Sequence, residues 1–192
     1  HNDAVFTPQS TEYCDALFEL AKLNYECNQY RDAIGRFDEF IQRQGEDPST
    51  VYARYYLADC YRASGRELAS AIAAANTPAE RQSLQDTRAR WLRQARMLFD
   101  QVITMLEARA VEQRKLDELD TLYLRNAYFF RADCLFDLGQ YADAVWLYDL
   151  AALEKALGSD QFEVVAVSVD KKGVEASSAF LKETGADNLK LY

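Results

Sequence analysis

Histidine is all but missing from this chain of 192 residues: His1, at the terminus, is the only one. With it goes the commonest metal ligand and the one side chain that titrates near neutral pH. The four cysteines, Cys14, Cys27, Cys60 and Cys134, include no Cys-x-x-Cys pair. A zinc site is therefore not expected, and small buried helix residues are the better reading of the thiols. Glycine occurs only seven times and each stands alone, so there is no Gly-rich loop to cradle a phosphate. The Ser177–Ser178 pair has no histidine or lysine arrangement to activate it. Carboxylates are many but form no motif; Asp117, Glu118 and Asp120 read as a solvated charge run. No cofactor is expected, and the chain is not expected to be an enzyme.

Basic residues are outnumbered, 22 against 31 acidic, for a net charge of −9 and a pI near 4.7. Nucleic acid and anionic membrane surfaces need a basic face, so neither is an expected partner; a basic or apolar protein partner fits better. No apolar run is long enough to span a bilayer, so membrane insertion is not expected. There is no initiator Met and no signal-peptide pattern, and the expectation is a cropped domain or mature fragment with any targeting signal outside it.

What is present favours helix. Hydrophobic residues make up 49% and charged residues 28%, enough for a folded core. The three prolines all lie at or before Pro78, and Ala, Leu, Glu, Arg and Gln are abundant. Residues 1–12 form an arm, with a helix capped near Ser10 or Thr11. Leu17, Leu20, Ala21, Asn24 and Tyr25 then make one helical stripe, and Asn28-Gln29 a turn. Tyr30, Ala33, Ile34, Phe37, Phe40 and Ile41 make a second stripe, stopped by Gly45, Asp47 and Pro48. Ala53, Leu57, Ala58, Tyr61 and Gly65 repeat the first-helix pattern. A shift of 74 residues lays Ala53, Ala58, Cys60 and Gly65 on Ala127, Ala132, Cys134 and Gly139. Between these copies Glu67–Ala75 continues as helix former, and Thr77-Pro78 with Glu80 reads as cap, first-turn proline and capping glutamate. One long helix is expected over 81–119, with a break near 113–120, carrying an apolar thread that includes Trp91, Leu92, Ala95, Leu98 and Phe99. The Arg-rich segment 88–96 reads as a solvated face or as a docking surface for an acidic partner.

Around Gly139 the chain resembles a tetratricopeptide repeat. Ala132, Gly139, Tyr141, Ala144, Tyr148 and Ala151 fall where that repeat has small or aromatic residues. The resemblance implies three helical-hairpin repeats over 13–152, with a helical insertion at about 66–90 that lengthens both helices of the middle repeat. It also implies binding of a peptide or helix on the concave face of the first helices. The residues so implicated are Phe18, Lys22, Tyr25 and Glu26; Tyr52, Tyr55, Asp59 and Arg62; and Asn126, Phe129, Asp133 and Phe136. Asp59 and Asp133 either bond a bound peptide or pair with a neighbouring Arg such as Arg62. The long inserted helices offer a route to self-association.

After Gly158 the texture changes. Residues 162–169 are dense in β-branched residues and read as a buried strand, 173–183 as a short amphipathic helix ended by Gly185, and 189–192 as a second strand. Leu153–Gly158, Phe162–Asp170, Ala179-Phe180-Leu181, Gly185 and Leu189–Tyr192 resemble a slice of the thioredoxin-like disulfide reductases. The active Cys-x-x-Cys would fall near 141–148, where there is no cysteine, so the resemblance implies a partial α/β segment over 153–192 without redox chemistry. Relatives of that kind work in the bacterial envelope, which is the compartment the resemblance implies. The helix around Leu150 serves both readings: either two pieces are fused there, naturally or artificially, or the array ends in a small α/β cap. The expected fold class is thus mainly α, with antiparallel helical hairpins and a small C-terminal α/β segment containing two parallel strands. The expected function is a non-enzymatic interaction scaffold; the alternative is an inactive remnant of a thioredoxin-like oxidoreductase.

Overall fold

The computed structural model describes residues 10–45, 47–140, 165–166, 182 and 190–191. Five helices carry the fold: α1 (Thr11–Glu26), α2 (Tyr30–Gln44), α3 (Thr50–Ala74), α4 (Pro78–Gln113) and α5 (Glu118–Asp137). Their ends follow from local chemistry. The Ser10 hydroxyl accepts from the Tyr13 N–H, Thr77 from Glu80 and Asp117 from Asp120, each satisfying an orphan donor of a first turn. Pro78 sits at the first position of α4, and the Glu80 carboxylate reaches back to the Asn76 N–H at 3.0 Å.

The α1–α2 and post-α5 turns share one hydrogen-bond pattern. Asn28 (φ 59°) and Gly139 (φ 72°) each occupy the left-handed position after a helix. The Gln29 N–H bonds the Asn24 carbonyl at 2.8 Å, and the Gln140 N–H bonds the Leu135 carbonyl at 3.1 Å. Gly65, which a shift of 74 residues lays on Gly139, makes no turn: α3 runs through it to Ala74. The helix formers of 67–75 override a lone glycine, whose cost of about 1 kcal/mol is small beside nine favourable positions. Gly65 instead permits close packing, since a Cβ there would lie 3.2 Å from the Leu92 side chain on α4.

The helices form two layers. α1, α3 and α5 lie side by side; α2 packs on α1 and α3, and α4 on α3 and α5. The core between the layers holds Phe37 from α2, Val51 and Leu57 from α3, and Leu92, Phe99, Val102 and Leu106 from α4. The α4 residues recur at helical spacing, so one stripe is buried along a helix about 54 Å long. Each such aliphatic or aromatic side chain contributes about 1.5–3 kcal/mol. Ala53, Ala58, Ala127 and Ala132, with Cys60 and Cys134, are buried where helices approach closely.

The fold class expected from the sequence is corrected here. Among the described residues the chain is all-α. Of the α/β segment expected over 153–192, the described backbone amounts to one parallel pairing of two residues on two, Val165 with Lys190 and Ala166 with Leu191. Two residues a side supply no face to bury and do not make the expected segment. Of the helix expected at 173–183 only Lys182 is described, in helical conformation, and the seam near Leu150 lies outside the described residues. So does the second helix of the third expected repeat, with Tyr141, Ala144, Tyr148 and Ala151.

Candidate functional site: the shared face of α1, α3 and α5

The residues expected to bind a partner come from the three helices of one layer. On α3, Tyr52, Tyr56, Asp59, Arg62 and Arg66 recur at intervals of three and four, which puts them on one stripe. This stripe meets Phe18 and Tyr25 of α1 on one side and Tyr123, Phe130 and Asp133 of α5 on the other.

Its aromatic half is a continuous strip of half-buried rings. Tyr56 stacks flat on the buried Phe37 at 5.7 Å and meets Phe18 at 6.4 Å, Tyr25 at 5.1 Å and Tyr123 at 6.0 Å. Tyr52 meets Tyr123 at 5.2 Å. These edge-on and tilted contacts are favourable ring geometries. The hydroxyls of Tyr56 and Tyr123 lie 2.8 Å apart and share one hydrogen bond. Burial, followed by the Tyr56 hydrogen bond, pushes the Tyr123 phenol upward.

Its ionic half is a ladder. Asp59, only 5% exposed, accepts from the Tyr25 hydroxyl at 2.6 Å on one oxygen and holds Arg62 at 2.6 Å on the other. The Arg62 guanidinium lies 3.9 Å from the Phe130 ring centre and reaches Asp133 at 3.3 Å. Arg66 bridges Asp133 at 3.0 Å and Asp137 at 3.2 Å, and Arg88 of α4 closes the row on Asp137 at 2.9 Å. Arg88 also donates to the Asp137 carbonyl, one of the orphan acceptors at the end of α5. At the other end Asp120, 2% exposed, takes the Tyr52 hydroxyl at 2.8 Å and both its oxygens meet Arg109. Of the charge run expected as solvated, Asp117 and Glu118 are exposed, with Asp117 capping α5, but Asp120 is buried in an ion pair.

Of the residues the sequence singled out, Phe18, Tyr25, Tyr52, Asp59, Arg62 and Asp133 meet along this face. Lys22 sits over the Phe18 ring at 5.8 Å and pairs with Glu19. Asn126 stands beside the Tyr55 hydroxyl. Tyr55 itself is core, 6% exposed, between Phe99, Tyr123 and Phe130, and burial pushes its phenol up to about 12. Phe129 and Phe136 of α5 are 40% and 60% exposed. Asp59 answers the alternative posed for it: it is an acid paired with Arg62. Sequence reasoning missed Tyr56, Tyr123 and Arg66. The signal was available, because Tyr56 follows Tyr52 by one turn and precedes Asp59 by three residues.

Cys14, Cys60 and Cys134 are buried free thiols. Burial pushes Cys60 well up, and Cys134 up to about 12, which suppresses the thiolate that redox chemistry uses. Among the described residues no group of three or more His, Cys, Asp or Glu could hold a metal ion, and no helix is long and apolar enough to cross a membrane.

Fold and face together define, over residues 10–45 and 47–140, a two-layer, all-α, repeat-like helical architecture. Compared with known proteins, the chain matches no family model, no curated protein and no solved structure.

Proposed function

We propose that this chain is a non-enzymatic, tetratricopeptide-like interaction scaffold that binds a peptide or helix of a protein partner on the shared face of α1, α3 and α5. One observation carries the reading: a row of aromatic rings spans all three helices and, though it packs on the core, stays only half-buried. Rings that are amphipathic, rigid and partly wet are what binding surfaces use, because they bury large area at small entropic loss. The ladder beside the strip holds the rings' helices in register, so the surface is preformed, which lowers the ordering loss on binding.

The test alters the face at two half-buried positions, one polar and one aromatic. Asn126→Arg and Tyr123→Ser, each checked for helical circular dichroism, would be compared with the parent chain for partner retention from the source extract. Loss of the partner with helicity kept is the expected result. Equal retention by both variants would sink the proposal.

A further inference from the structure

The strip's charges and hydroxyls restrict the partner further. Resting on the interaction reading above, we infer that the face takes an uncharged, proline-rich extended segment, with a backbone carbonyl seated on the Tyr56–Tyr123 hydroxyl pair.

The first line of argument is charge. The ionic groups of the ladder are already matched, Asp59 by Arg62, Asp133 and Asp137 by Arg66, and Asp120 by Arg109, and Lys22 over the Phe18 ring of α1 pairs with Glu19. A charged partner residue would have to displace an internal ion from a half-buried site and leave its mate unpaired, which is costly. An uncharged segment leaves the ladder alone.

The second line is hydrogen-bond arithmetic. The Tyr25 and Tyr52 O–H groups are used by Asp59 and Asp120. Tyr56 and Tyr123 share one bond, so whichever donates, the other keeps an unspent O–H. The strip therefore offers a donor in the middle of an aromatic surface. A helix has its carbonyls satisfied internally, and a regular extended peptide brings N–H groups that need acceptors as well. A proline-rich segment brings carbonyls, few N–H groups and flat pyrrolidine rings, and its polyproline II conformation is ordered before it binds.

The hydroxyl pair makes the test specific. An array of uncharged Pro-x-x-Pro peptides would be titrated into the full chain, with an uncharged amphipathic helical peptide and an acidic peptide as the other arms. Binding is read from the tyrosine ring signals in NMR. The expected result is saturable shifts of Tyr52, Tyr56 and Tyr123 with members of the proline array. Tyr56→Phe or Tyr123→Phe alone then changes affinity by less than about twofold, because the surviving hydroxyl is released to donate. The double variant weakens binding about five- to tenfold, the worth of one net hydrogen bond. Single variants as damaging as the double, or a double variant without effect, overturn the inference. So does movement of these rings by the helical or acidic peptide alone, although the interaction reading then stands. If no arm moves any of the rings, inference and reading fall together.

Discussion

The phenol of Tyr25 donates a 2.6 Å hydrogen bond to Asp59, and the same carboxylate holds Arg62 at 2.6 Å on its other oxygen. One buried acid thus ties α1 to α3 and, through Arg62, to Asp133 of α5. Asp59→Asn removes the charge and leaves Arg62 with the longer Asp133 contact. The expected loss is about 3 kcal/mol, in the range for breaking a buried pair from one side. Urea unfolding of the two chains measures it, and a loss within about 0.5 kcal/mol, the size of an ordinary surface substitution, would show that the pair does not stabilise the fold.

Two helical glycines separate propensity from packing. At Gly35 a Cβ meets nothing within 4 Å, so Gly35→Ala raises stability by about 0.5–1 kcal/mol through helix propensity. At Gly65 the new methyl meets the fully buried Leu92 at 3.2 Å. There overpacking outweighs propensity, and Gly65→Ala lowers stability by about 1 kcal/mol. Thermal melts of both variants read the opposite signs; the same sign at both would refute the close α3–α4 contact.

Asp38 is half-buried, and that burial raises its carboxyl above the usual value. A raised folded value means that the group favours the fold when protonated, and that this advantage is lost as pH rises through the folded titration. Asp38→Asn is therefore expected to stabilise the chain at neutral pH by less than about 1 kcal/mol. The gain vanishes in acid below the unfolded carboxyl's titration, where both states are protonated. Denaturation of both chains at the two pH values checks it; a gain that persists in acid would contradict the burial argument.

Burial raises the phenols of Tyr25, Tyr52, Tyr55 and Tyr123, Tyr55 to about 12. In the unfolded chain the same groups ionise near about 10. Stability present below that value is thus lost as pH rises toward the folded values. In an alkaline titration followed by phenolate absorbance, one set of tyrosines ionises normally and another only as helicity collapses. A single transition with helicity intact would show that the strip and its neighbours are open to solvent.

The thiols divide by place. Cys27, just after α1, is exposed, whereas Cys14, Cys60 and Cys134 are buried. A thiol reagent added to the native chain is expected to modify one cysteine fast and the rest only on denaturation, as counted by mass spectrometry.

Local chemistry was legible in the sequence where the partners are close along the chain. The Thr77-Pro78-Glu80 start, the Asn28-Gln29 turn and the stop at Gly45 need only a few neighbouring residues. Asp120 was misread because the residues that bury it, Tyr52 and Arg109, are 68 and 11 positions away. Tyr55 and Tyr56 are adjacent in sequence and their rings meet at 5.7 Å, yet Tyr55 is buried in the core while Tyr56 is half-buried on the strip, a difference set by the neighbouring helices. Gly65 lies on Gly139 under the 74-residue shift, and the helix formers read beyond it decide what the backbone does: α3 runs on to Ala74. The expected α/β end rested on β-branched density, and the described pairing there is two residues on two.

The α3–α4 hairpin closes at Ala75–Thr77 rather than at Gly65, because both of its helices run on past the point where its neighbours turn. Chain added to such a hairpin in opposed helical pairs lengthens the tip and leaves the phase of every face below it unchanged. The α1, α3 and α5 layer and the hairpin tip are then free to diverge separately: one can acquire residues, or shed them, while the other keeps its geometry.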